Sequence, residues 1–352
     1  MELADELARL VELPSVTGRE DDVTHFLLEA WADRVDSARV DRAGNYVGLR
    51  RGSLPEGSLR VLVAAHVDSI GMMVAAIEPG GFLRAVPVGG VDGRYLLGLE
   101  VVVHGRRPVP GVVGARPPHI TRPEERRSIP PVAELFVDTG LPEGEVRELV
   151  APGDPVTWRR PLLRLRNGRV AGRSLDNRAG VAALGVVLRE LRHLDQAADV
   201  YAVGTVGEEF GGMPGARAAA QAIRPHVAIA LDVTFGSHHG VTDDHFPLDG
   251  GPTIMVGPNC HPGLARFLRE VASAEGIPYA MEVSGGSSGT DAWVMQVAAE
   301  GSVTGVVSIP LRYMHTPVEV VSLSDIRLAG RLVAAAVARL DEGMVREWTS
   351  LS

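Results

Sequence analysis

Leu59-Arg60-Val61-Leu62-Val63-Ala64-Ala65 leads directly into His66-Val67-Asp68, and this stretch decides the fold class. A short apolar run of this kind suits a strand buried on both faces of an α/β sheet. In open α/β sheets, ligands bind beyond the carboxyl ends of the strands, where groups far apart in sequence converge. Four more sites carry ligand-type side chains at equivalent places. Asp176 opens a helix, Glu208 and Glu209 follow a strand expected over 200–206, Asp232 closes an apolar run over 227–231, and His315 follows a strand expected over 303–309.

The spacing assigns different work to these groups. With a two-residue period, His66 and Asp68 share a face, so the carboxylate can bond the imidazole from behind while the other ring nitrogen holds a metal. Adjacent Glu208 and Glu209 must diverge, which lets one ligate and leaves the other free for proton transfer. Asp176 in Ser-Leu-Asp-Asn-Arg also suits a helix N-cap. Asp232 has a harder time as a bystander, because an acid at the mouth of a buried strand needs a partner. Histidine and carboxylate ligands without thiolates favour Zn, Co or Mn, and the set is large enough for two ions sharing a bridging carboxylate. Hydrolysis is the reaction class such a pair serves.

Outward from this core, apolar positions at helical spacing predict helices over 2–14 and 20–36, and a strand is expected over 40–49. From about residue 71 to 170 the texture changes to short β-rich runs broken by Gly and Pro, with helical periodicity around 143–150. After it the α/β alternation resumes, with helices over 176–194, 215–222, 262–276 and 323–340. A discontinuous catalytic domain over 1–71 and 165–352, interrupted by a β-rich module over 72–164, is therefore expected.

Composition narrows the chemistry. All 35 basic residues counted as Lys+Arg are Arg, so a lysine Schiff base, a lysine general base and a GxxxxGK[ST] phosphate loop are excluded. A formal charge of −9 over 352 residues, with both signs interspersed, offers no footprint for nucleic acid or an anionic membrane. The single Cys260 beside His261 has no local acid or base to make it a nucleophile and excludes internal disulfides. The first residues lack a basic, apolar export signal and no apolar run reaches the length of a membrane span, so a cytoplasmic protein is expected.

The ordered motifs are similar to those of the M42 metallo-aminopeptidases, the glutamyl and tetrahedral aminopeptidase group. The resemblance runs from 65–71 through Gly111-Val112-Val113-Gly114, Arg116-Pro117-Pro118-His119 and 174–180. It continues in Glu208-Glu209-Phe210-Gly211, Asp232-Val233-Thr234, Gly289-Thr290-Asp291-Ala292 and 312–319. It implies a mixed-sheet, zinc-peptidase-like α/β catalytic domain with an inserted PDZ-like β domain. It also implies two divalent ions per subunit, one held by His66 and Asp232, the other by Glu209 and His315, with Asp176 bridging. Glu208 would be the general base and acid, and Asp68 the partner orienting His66. Asp291 and Arg312 would line the substrate pocket, and His119 would reach a neighbouring subunit's site or serve its own loop. Substrates would be peptides with a free N-terminus, and self-association, as a tetrahedral dodecamer, is expected. Ser69 stands where the family usually has Glu, and 285–291 replaces a tighter Gly-rich run, which bears on pocket shape and not on the ligands. Hydrolysis of acylated amino acids or conjugates is the enzymatic alternative. A catalytically silent metal-stabilised scaffold is the other, though it has no use for a free Glu208.

Overall fold

The computed structural model describes residues 2–120, 131–241 and 245–349. Its spine is a mixed sheet whose four central strands, Asp199–Thr205, Arg60–His66, Val227–Phe235 and Val303–Arg312, are parallel neighbours in that order. All carboxyl ends of this group therefore open on one edge. Antiparallel strands flank it: Ser37–Val40 and Tyr46–Arg50 on one side, Glu319–Ser322, Arg169–Gly172 and Leu163–Arg164 on the other. Thr253–Val256 and Ala280–Val283 branch from Val303–Arg312.

Alternation along the central strands divides the core in two. Val61, Val63, Ala65, Ile229 and Leu231 face a large apolar cluster shared with the helices Leu3–Glu12, Leu175–Glu190 and Leu323–Arg339. Leu62, Ala64, Ala228 and Ala230 face a smaller one with Pro214–Ile223 and Ala292–Met295. Both faces are covered, which is why the strands read as unbroken apolar runs.

Six strands between Gly71 and Trp158 close into a separate antiparallel barrel around Met72, Leu83, Val101, Val103 and Val156, with the short helix Glu143–Leu149 packed against it through Val146. The strand expected over 40–49 is instead a hairpin, Ser37–Val40 paired with Tyr46–Arg50. The cause is Asp41, whose carboxylate accepts the backbone N–H groups of Ala43 and Asn45 and turns the chain. Asn45 then ties that turn to the loop after Asp199–Thr205, accepting from the Val206 N–H and donating to the Gly215 carbonyl. The short strands at 163–164, 169–172, 253–256, 280–283 and 319–322 and the helix Glu342–Thr349 are additions that the apolar pattern does not announce. No helix among the described residues is long and apolar enough to cross a membrane.

Candidate metal centre

His66, Asp176, Glu209, Asp232 and His315 come together at the carboxyl edge of the parallel strands. His66 ends its strand with a buried ring, whose Nε2 lies 3.2 Å from Asp176 Oδ1 and 3.8 Å from Asp232 Oδ1. His315 Nε2 lies 3.2 Å from Asp176 Oδ2 and 3.2 Å from Glu209 Oε2. Asp176 thus offers one oxygen to each imidazole. The ligand atoms of His66, Asp176 and Glu209 all lie within 4.8 Å of one another.

Local backbone places each group. Asp176 and Asn177 enter the helix Leu175–Glu190 with non-helical dihedrals, and Asp176 points at the histidines and makes no cap hydrogen bond to the helix. Asn177 anchors the turn, donating to the Leu231 carbonyl and accepting from the Gly180 N–H. Glu208 and Glu209 sit on a loop that begins at Gly207, where φ is +77° and an added Cβ would meet Pro214 at 2.9 Å. Only glycine turns there without strain. Asp68 fixes this loop as well as His66: its carboxylate faces His66 Nδ1 at 3.5 Å and accepts the N–H groups of Glu208 and Glu209 at 3.0 and 3.1 Å.

The electrostatics describe a site short of cations. Burial opposes charge on His66, yet Asp176, Asp68 and Asp232 hold its imidazole well above the ordinary range. His315 is pushed up to about 11 by its hydrogen bonds to Asp176 and Glu209. Burial, offset by His66 and reinforced by Asp291, Asp176 and Glu209, raises Glu208 to about 8. Burial likewise carries Asp232 well above its usual value. Asp176 goes the other way: burial disfavours its charge, but the two histidines hold its pKa low. Glu209 Oε1 is buried without a hydrogen-bond partner. An orphaned carboxylate oxygen among crowded acids and two imidazoles is the arrangement a divalent cation relieves.

Of the further residues, Asp291 is buried beside the cluster, accepts the Thr205 hydroxyl and is raised to about 6, chiefly by burial. Arg312 is half-buried, its Nε donating to the Ser237 carbonyl at 2.5 Å. His119 is exposed in the turn Pro118–Ile120 and bonds none of the cluster residues. His238 stacks near Tyr313 and does not join the cluster.

Sequence reasoning missed a supporting layer. Buried Glu319 accepts the backbone N–H groups of Asp176 and His315 at 3.2 and 2.9 Å, locking the two to each other. Its signal was an acid opening the apolar run Val320-Val321, which demands partners when buried. Thr17 donates to Asp68 at 2.8 Å, and buried Arg178 donates to the Val67 carbonyl and to Ser15. Gly90, from the barrel segment, packs so close to His315 that a Cβ there would lie 2.7 Å from Nδ1.

Comparison with known proteins converges on one group. Residues 44–332 match the family model described as M42 glutamyl aminopeptidase. A lysyl aminopeptidase of Pyrococcus furiosus is 37% identical over 344 residues, covering 96% of each chain. An aminopeptidase structure from the archaeon Desulfurococcus kamchatkensis superposes with a TM-score of 0.91 at 36% identity, over 99% of this chain and 98% of that one. The TET1 peptidase of Pyrococcus horikoshii, described as assembling into a tetrahedron or a large octahedral shell, gives 0.84 at 32% identity, over 96% and 100%.

Proposed function

The chain belongs to the M42 family of aminopeptidases and is a peptidase hydrolase, and from that premise we propose that it removes N-terminal residues from peptides at the five-ligand cluster. The observation carrying this reading is Asp176 presenting one carboxylate oxygen to each of two imidazoles. Two divalent ions fit: one on His66, Asp232 and Asp176, the other on His315, Glu209 and Asp176. When bound, such ions polarise the scissile carbonyl and lower the pKa of the attacking water. Zn, Co and Mn all suit the donor set.

The remaining work falls to the chain's own residues. Glu208, held on the same loop as Glu209 but diverging from it, takes the proton from the attacking water and returns it to the leaving amine. Asp68 acts as a positioning residue, orienting His66 and holding the backbone of Glu208 and Glu209. Asp291 and Arg312 border the substrate, and His119 reaches toward a neighbouring subunit. The insert over 72–164, whose barrel strands run from Gly71 to Trp158, is PDZ-like in this reading and carries assembly into a shell such as the tetrahedral dodecamer, and the protein works in the cytoplasm.

Chelation followed by return of Zn, Co or Mn, assayed on aminoacyl-p-nitroanilides with free and blocked α-amino groups, tests the proposal. Metal-restored turnover of the free substrates alone is expected. Full turnover in metal-free protein, or turnover of N-blocked substrates only, defeats it.

A further inference from the structure

The metal cluster is one part of a longer polar line across the sheet. Thr205 pairs with His66, Asp232 with Ser308, and Ser308 with Thr253. His66 falls beside Asp232, two residues beyond the Ala64–Ala230 pair. Cross-strand partners project from the same face, so these five side chains form a row over five adjacent strands. A carboxylate closes each end. Asp291 accepts from Thr205 at one end. At the other, Glu282 accepts from Thr253 Oγ1 at 2.6 Å and from Thr234 Oγ1 at 2.8 Å.

The two acids differ in what they can meet. Asp291 is 2% exposed, whereas Glu282 is only half-buried and, among the described residues, has no ion-pair partner. Between Glu282 and Asp291 the segment 284–289 consists of Ser and Gly alone, and Gly285, Gly286 and Gly289 have nothing within 4 Å of where a Cβ would stand. Open space therefore borders the segment that links the two acids. Ser308, buried between Asp232 and Thr253, keeps a hydroxyl without a partner. Thr234, which holds one Glu282 oxygen, lies two residues past Asp232 on the same strand face, about 7 Å along the strand. Glu282 is therefore tethered two strand positions beyond a cluster acid, a spacing comparable to the length of an extended basic side chain.

We propose that Glu282 determines specificity, selecting peptides whose N-terminal residue is Lys or Arg by pairing with the side-chain cation. The proposal rests on the aminopeptidase reading of the cluster. Arg312 lies on the same face, two residues past Pro310, the partner of Thr234, and would select acidic residues if it governed the pocket.

The test compares kcat/KM of the metal-loaded enzyme on Lys-, norleucine- and Glu-p-nitroanilide. Lys and norleucine share length and differ in charge, so their ratio isolates the pairing without any mutation. Wild type should prefer Lys to norleucine by about tenfold or more, the worth of a charged hydrogen bond, chiefly through KM. Glu282→Gln should bring that ratio down to near one. A preference for norleucine or Glu in the wild type, or a Lys-to-norleucine ratio unmoved by Glu282→Gln, overturns the assignment. Absence of metal-dependent turnover on all three would instead defeat the aminopeptidase reading on which it rests.

Discussion

Gly90→Ala is the sharpest probe of how the barrel and the metal centre depend on each other. Gly90 follows the barrel strand Leu83–Val88 and supplies no ligand, yet a Cβ there would stand 2.7 Å from His315 Nδ1 and 3.2 Å from Cε1. Its backbone is outside the left-handed region, so alanine brings contact and no dihedral strain. To recover ordinary van der Waals separation the ring must retreat by roughly 0.7 Å. Metal–ligand distances tolerate only about 0.2 Å. Nor can the ring swing freely, because Nε2 is aimed at Asp176 and Glu209 and the backbone N–H is held by Glu319. Metal affinity or activity should therefore fall by about 10- to 100-fold, the usual effect of disturbing a ligand's support. Elemental analysis beside kcat/KM provides the assay, with Gly114→Ala as a control, since an added Cβ there meets nothing within 4 Å. Wild-type metal content and turnover in Gly90→Ala would refute the claim that this segment sets the position of His315.

Glu208→Gln should keep metal content near wild type while lowering kcat by about two to four orders of magnitude, whereas His315→Ala should lose metal and activity together. Elemental analysis showing metal lost from Glu208→Gln and kept in Glu209→Gln would reverse the roles of that pair. Burial raises the Glu20 carboxyl from 4.5 to about 7. Because the folded value exceeds the unfolded one, stability present below pH 4.5 is lost as pH rises through 7, by about 3 kcal/mol. Glu20→Gln should accordingly melt above wild type at pH 8 and with it at pH 4, and equal shifts at both would contradict this. Replacing 72–164 by a Gly/Ser linker should give smaller folded species by light scattering, and an unchanged subunit number would move assembly to the catalytic domain.

Much of the centre was legible because its chemistry sits where strand endings are easiest to read. Runs such as 61–65 and 227–231 are apolar on both faces, so the polar residue that breaks each run marks the open edge of the sheet, and His66 and Asp232 follow directly. The hairpin at 37–50 had a signal that a single strand over 40–49 runs across, the polar, glycine-bearing stretch Asp41-Arg42-Ala43-Gly44-Asn45, where the Asp41 bonds make the reversal. The added strands are only two to four residues long, giving periodicity too little length to register.

What stayed hidden was mutual dependence, because backbone hydrogen bonds and glycine clearances leave almost no trace in a pattern of side-chain types. Glu319 reads as one acid among many, yet it joins Asp176 and His315 through their N–H groups, and burial, reinforced by the Asp176 charge, holds its carboxyl well above the ordinary range. Asp68 reads as the partner of one histidine, yet it also fixes the loop that carries Glu208 and Glu209. A strand, a helix entrance and two loops thus meet through Asp68, Glu319 and the Asn177 bond to Leu231. Moving any one of them shifts atoms in both histidine–carboxylate groups, because Asp176 belongs to both. Asp176 needs the most support, and it is held on both sides, by Glu319 through its own N–H and by its chain neighbour Asn177 through the Leu231 carbonyl.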